Sequence, residues 1–200
     1  MKKIGIYGGT FSPPHVGHVA SAISFRDGIG LDRLIVMPSN VPPHKEVSEN
    51  NPAARLDMTR LAFGGVEKAE VSDYEISNPG RSYTADTLTH FYSDDSELFF
   101  LCGTDMFLTL HTWRRPEVIL RLATIVLARR ESDGYSEEIA RANEMLKSRF
   151  GARTVILNHK PIEISSTQVR KMISQGEDTS EYLCPEVAEY IKANGLYQRK

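Results

Sequence analysis

Five short, largely apolar runs constrain this chain more than any other feature: residues 3–7 (KIGIY), 34–37 (LIVM), 98–102 (LFFLC), 124–128 (TIVLA) and 154–157 (TVIL). A strand that alternates apolar and polar residues has one wet face, whereas a strand that is apolar throughout is covered on both. Between the runs the period changes. Val19, Ala20, Ile23 and Phe25 recur at helical spacing within 16–28, and further helices are predicted over 53–63, 83–91, 116–122, 136–150, 166–174 and 185–194, the last stopped by Gly195. A weaker strand falls near 70–71. Strands alternating with helices give an α/β fold, a doubly wound parallel sheet with helices on both faces and C-terminal helices beyond it. Ligands in such sheets bind outside the carboxyl ends of the strands.

Composition narrows the class. A chain of 200 residues, 40% hydrophobic and 25% charged, reads as one globular domain over 1–200 with a core of its own. With 24 Lys+Arg against 26 Asp+Glu, nothing global attracts nucleic acid or an anionic membrane. No apolar run approaches the roughly 18 residues of a membrane span, and the first residues lead straight into a strand, so a cytoplasmic location is expected. Cys102 and Cys184 stand far apart without a C-x-x-C partner, which argues against a disulfide framework or a thiolate metal site. Both are expected to be plain small apolar residues.

The segment Gly8-Gly9-Thr10-Phe11-Ser12-Pro13-Pro14-His15-Val16-Gly17-His18 lies between the first strand and the first helix. Its two glycines allow close backbone approach, and a helix starting near His15 directs unpaired N–H groups and a positive dipole end at an anion. His15 and His18, three residues apart, share one face of the first turn and aim at that anion, donating hydrogen bonds and, when protonated, charge. Without a third ligand nearby the pair makes a poor metal site, so no protein-held metal is expected. The Pro-rich stretch 38–52, carrying Asn40, His44 and Lys45, is long enough to predict a mobile substrate loop. His90, His111 and His159 show no partner pattern and are expected at surface or satisfied positions.

These residues carry a family resemblance. GGTFSPPHVGH resembles the mark of the H-x-G-H nucleotidyltransferases, and ISSTQVR at 164–170 is similar to their second mark, I-S-S-T-x-x-R, in the family's order. The resemblance implies a Rossmann-like sheet with ATP bound at Gly8, Gly9, Thr10, Phe11, His15 and His18. Ser165 or Ser166 would cap a late helix, with Arg170 one turn further along its face for a bidentate phosphate contact. In the middle of the chain, Pro43-His44-Lys45, SYTADT at 82–87, Gly103-Thr104-Asp105 and Trp113-Arg114 resemble the nicotinate-nucleotide adenylyltransferases, so that the likeness covers essentially all 200 residues. Ser12 stands where that family usually has Asp, and Glu131-Ser132 follows Arg130 where Pro-Gly is usual.

What the family resemblance implies is an enzyme of NAD biosynthesis that joins the AMP moiety of ATP to nicotinate mononucleotide, giving deamido-NAD and pyrophosphate. His15 and His18 would be catalytic, Lys45 and Arg170 would hold the β- and γ-phosphates, and a substrate-bound Mg²⁺ would neutralise the departing pyrophosphate. Nicotinate mononucleotide would meet Asn40, the N–H groups of Tyr83 and Thr84 at a helix start, Asp105 at its ribose, Trp113 as a stacking face, and Arg130. Asp86 and Thr87 are expected to be structural. The partners implied are ATP and nicotinate mononucleotide, with no nucleic acid or membrane and with room for a homo-oligomer. Pantetheine-phosphate adenylyltransferases share both end motifs, but SYTADT and Trp113 favour a pyridine nucleotide. Cytidylyltransferases usually carry R-T-E-G where Pro161-Ile162-Glu163 stand. Intact His15, His18 and Arg170 oppose a non-catalytic nucleotide sensor, and the absence of a K-M-S-K-S-like loop opposes a tRNA synthetase fragment.

Overall fold

A computed structural model describes residues 1–40, 51–78, 80–130, 137–159, 162 and 164–198, with backbone only at 129, 130, 158 and 159. The apolar runs become strands β1 (Lys2–Gly9), β2 (Arg33–Pro38), β4 (Ser96–Cys102), β5 (Ala123–Arg130) and β6 (Thr154–His159), and the weak run becomes the short β3 (Ala69–Val71). All are parallel, in the order β3-β2-β1-β4-β5-β6. Their continuous hydrophobicity is explained by cover on both faces. Ile4, Ile6, Ile35, Met37, Leu98, Phe100, Ile125 and Leu127 point into one core, while the intervening Leu34, Val36, Phe99, Leu101 and Val126 point into the other with Ala22 and Phe25.

The helices are α1 (Val16–Ile29), α2 (Pro52–Phe63), α3 (Tyr74–Ser77), α4 (Thr84–Phe91), α5 (Thr104–Thr109), α6 (Pro116–Leu122), α7 (Glu137–Phe150), α8 (Ser166–Gln175) and α9 (Pro185–Ala193). Helix α1 sits directly on β1: a Cβ added at Gly5 would stand 2.7 Å from the Phe25 ring, so only glycine admits the helix this close. A third cluster of Met58, Val169, Leu183, Val187 and Ile191 seats α8 and α9 against α2, which brings the C-terminal helices round to the exit of β1. Neighbouring strands β1 and β4 send their connections to opposite sides, and the crevice between their carboxyl ends is the switch point of the sheet.

The boundaries differ from the sequence expectation in small ways. Strand β1 continues through Gly8 and Gly9 rather than stopping at them. Helices α3 and α5 and the 3-10 turn Leu110–Thr112 had no periodic signal, because four, six and three residues are too few to show one. Cys102 is buried, its thiol pushed up to about 12 by desolvation, and Cys184 is half-buried; both are free. Among the described residues no helix is long and apolar enough to cross a membrane. The substrate loop expected within 38–52 falls largely on 41–50, outside the described residues, and takes His44 and Lys45 with it.

Candidate active site

A cleft of about 1400 Å³ opens at the switch point. Tyr7, Gly8, Thr10, Phe11, His15 and His18 line it from the β1 side, Cys102 and Gly103 from the end of β4, Ser165, Ser166 and Arg170 from the start of α8, and Tyr197 from the tail. Residues from opposite ends of the sequence therefore share one wall.

His15 is the N-cap of α1, with extended backbone, and its ring stacks on that of His18 at a centroid distance of 3.7 Å. The His15 backbone N–H donates to His18 Nδ1 at 3.2 Å. A neutral His18 that accepts at Nδ1 must carry its proton on Nε2, which makes Nε2 a hydrogen-bond donor. Phe11, in the left-handed region (φ 48°) and 1% exposed, buttresses the pair with an edge-on contact to His18 at 5.1 Å. Gly9 makes room for this aromatic, since a Cβ there would lie 2.7 Å from the Phe11 ring, and it stands beside rather than among the residues lining the cleft.

Two expectations about this loop change. His15 is 6% exposed with an unpartnered Nδ1, and burial pulls its imidazole down from 6.5 to about 4, so at neutral pH it offers a polar, uncharged ring and not a cation. The first N–H of α1 is also taken: Val16 donates to the Tyr182 carbonyl at 2.9 Å.

The start of α8 is locked to the loop after β1. Ser165 caps the helix, its Oγ accepting from the Gln168 N–H at 3.2 Å while Gln168 Oε1 accepts from the Ser165 N–H at 2.9 Å. Ser166 Oγ donates to the Pro13 carbonyl at 2.9 Å. Arg170 Nη1 donates to the Ser12 carbonyl at 2.7 Å, and Nη2 to Thr167 Oγ1 at 3.1 Å. The Arg170 fork is thus partly engaged within the protein, which revises the expectation of a free bidentate phosphate clamp. The Tyr197 hydroxyl lies 3.2 Å from Ser12 Oγ, at the position where aspartate was the usual residue.

The residues expected around nicotinate mononucleotide do not line this wall; most of them lie near one another beside it. The Asn40 N–H donates to Ser82 Oγ at 2.9 Å, joining the exit of β2 to the start of α4. Tyr83 is the N-cap of α4 and Thr84 its first residue, and the Arg114 guanidinium covers the Tyr83 ring at 4.3 Å. Trp113 is half-buried, edge-on to Phe100 at 6.3 Å. Asp105 lies in the first turn of α5, two residues beyond the cleft-lining Gly103. Arg130 ends β5, and its side chain lies outside the described residues. Asp86 pairs with Arg115, and Thr87, 2% exposed, donates to Glu75 at 2.5 Å. His90 stacks on Tyr74 at 3.9 Å, and His111, expected at a surface or satisfied position, is half-buried with an Nδ1 that has no partner.

Three residues escaped the sequence reading. Glu75, on the four-residue α3, is a carboxyl that burial pushes above its usual range against hydrogen bonds from Thr87 and Ser82. Tyr197 had no motif around it. Arg55 is an arginine 2% exposed, and a signal for it existed: Arg55, Met58 and Ala62 follow the i, i+3, i+7 spacing of the buried stripe of α2.

Residues 6–172 match the cytidylyltransferase-like family. The chain is 36% identical over its full length to a probable nicotinate-nucleotide adenylyltransferase of Clostridium botulinum, itself fully covered. It is 35% identical over its full length to one from Neisseria meningitidis, also fully covered. The nicotinic acid mononucleotide adenylyltransferase of Plasmodium falciparum, solved with NaAD, superposes with a TM-score of 0.80 at 20% identity over 98% of both chains, which shows a shared fold. With both end motifs on one cleft and full-length identity above a third, the chain belongs to the nicotinate-nucleotide adenylyltransferases, within the cytidylyltransferase-like family.

Proposed function

We propose that this cleft carries the family's reaction, transfer of the AMP moiety of ATP to nicotinate mononucleotide with release of pyrophosphate, within a single domain spanning 1–200. The observation that supports it most is the joining of the two end motifs, Ser166 to Pro13 and Arg170 to Ser12, on the wall that also bears His15 and His18. The acceptor phosphate, with a second pKa of about 6, is largely a dianion at neutral pH and attacks the α-phosphorus in line without a general base. Positioning and charge stabilisation are the protein's tasks. His18, polarised through Nδ1, donates from Nε2 to an α-phosphate oxygen, and His15 stacks behind it as a neutral ring. Gly8, Thr10 and Phe11 shape the loop under the nucleotide. Ser165, Ser166 and the remaining Arg170 donors would hold the β- and γ-phosphates, a role the family resemblance also gives to Lys45, outside the described residues.

Among the described residues no Asp or Glu lines the cleft, and no cluster of His, Cys, Asp and Glu could cage a metal. A Mg²⁺ carried in on phosphate oxygens and water would supply the charge that neutralises the departing pyrophosphate. Asn40, the N–H groups of Tyr83 and Thr84, Asp105 and Trp113 would receive the mononucleotide, with Arg130 assigned to the same side by the family resemblance alone. Incubation with ATP and either nicotinate mononucleotide or phosphopantetheine, followed by pyrophosphate release, tests the assignment. Release with the mononucleotide alone is the expected result; release with phosphopantetheine alone overturns it.

A further inference from the structure

Arg55 is a buried cation without a counter-ion among the described residues. Its side chain is 2% exposed, yet Nη1 donates to the carbonyls of Thr10 (2.9 Å) and Ser39 (2.6 Å), Nη2 donates to the carbonyl of Asn40 (2.8 Å), and Nε has no partner. Among the described residues no carboxylate pairs with it. Burying an unpaired charge costs several kcal/mol, and neutral carbonyls offset only part of that. An aliphatic side chain would fill the same stripe of α2 without a buried charge but would leave three carbonyls without that donor, so packing of α2 alone does not explain the residue.

The three carbonyls explain it better. Thr10 lines the cleft in the loop after β1, while Ser39 and Asn40 leave the end of β2. From Asn40 the chain of contacts continues through its N–H to Ser82 Oγ at 2.9 Å, and so to the start of α4. One guanidinium fork therefore holds the proposed ATP loop and the proposed mononucleotide segment at a fixed separation, and it holds both only while both are in place.

We propose that Arg55 is a positioning residue that couples the two substrates: whichever binds first fixes its own loop, and Arg55 passes that order to the loop that receives the other. The inference rests on the reaction proposed above. A ligand that orders one side lowers the ordering cost met by the second, which gives positive cooperativity of the usual size, about 5 to 150-fold. The buried charge adds a field that favours polyanionic ligands over the empty cleft.

The test is calorimetry with α,β-methylene-ATP and nicotinate mononucleotide, singly and together, alongside steady-state turnover, on the parent, Arg55→Lys and Ser82→Ala. Lys keeps the charge but cannot span three carbonyls, and Ser82→Ala cuts the next link while leaving the Thr87 hydrogen bond to Glu75 in place. In the parent, the ATP analogue should tighten the mononucleotide by at least about 5-fold. Arg55→Lys should reduce that factor to near unity and lower kcat by roughly 10-fold or more, with single-ligand affinities little changed. Ser82→Ala should lose part of the coupling, and it carries the test should Arg55→Lys not fold. A parent without coupling, or an Arg55→Lys protein that keeps both coupling and kcat and loses only melting temperature, overturns the inference. Failure of the parent to form product removes the proposed reaction instead, and the two failures are read separately.

Discussion

At the catalytic wall the chain ties together residues 153 and 158 positions apart in sequence, Ser166 to Pro13 and Arg170 to Ser12, and it does so through backbone carbonyls. Around Tyr83 and Trp113 the joints are of another kind, a guanidinium lying on an exposed-side ring and an aromatic edge against Phe100. Those anchors fix the wall from within the protein, whatever base a substrate carries, so they suit the positioning of phosphates common to every reaction of this class. Ring stacking and helix-start N–H groups respond to the shape and charge of one particular base, which suits selection. On the reading proposed above, rate belongs to the first region and choice to the second, and each can be perturbed separately.

The largest effect belongs to the first region. His18→Ala should lower kcat by about 10² to 10⁴-fold, the loss of one transition-state donor, while the dissociation constant of the ATP analogue changes far less. Pre-steady-state turnover alongside binding checks both halves. An unchanged kcat would detach the histidine pair from the chemistry and leave the wall a binding surface only.

A second effect separates the two histidines. Because His15 is held neutral with a value near 4, below its usual 6.5, the unfolded chain binds a proton that the folded chain does not between those limits. Stability therefore rises with pH across that window and is lost as pH falls through it, by about 3 kcal/mol in all. His15→Asn keeps a competent N-cap and removes the titration. Urea unfolding at pH 7 and pH 4.5 should show the parent losing about 2–3 kcal/mol more than the variant. Equal losses would mean that burial does not control this ring.

How far the sequence could be read follows from the same physics. Continuous apolar strands and long amphipathic helices announce themselves because burial repeats over many residues, so the parallel sheet and helices such as α7 were legible. The wall residues Thr10, His15, His18 and Ser165 were legible too, since each sits at a strand exit or a helix start where backbone groups are left open. What sequence hid was where donors end up. Nothing local shows that Arg170 spends a donor on Ser12, because that partnership is set by the crossing of distant elements. Arg55 was hidden differently: an arginine reads as surface unless its place on an apolar stripe is taken seriously.

The smallest expected effect tests the selecting region, through the choice between nicotinate and nicotinamide mononucleotides. They differ by a carboxylate against a neutral amide at the edge of the pyridine ring. The N–H groups of Tyr83 and Thr84 open α4 in a positive dipole field, so they favour an anion and leave the NH₂ of the amide facing other donors. One such mismatch in a desolvated site costs roughly 1 to 3 kcal/mol, or about 5 to 150-fold in kcat/KM in favour of the acid. Trp113, half-buried against Phe100, would present the same face to either ring. Trp113→Ala should therefore weaken both mononucleotides together and preserve most of their ratio, read from competing-substrate kinetics. Equal kcat/KM for acid and amide in the parent would move selection away from the start of α4. A ratio that collapses with Trp113 while affinity persists would place it on the aromatic instead, and the division of labour between the two regions would have to be redrawn around the ring rather than the helix.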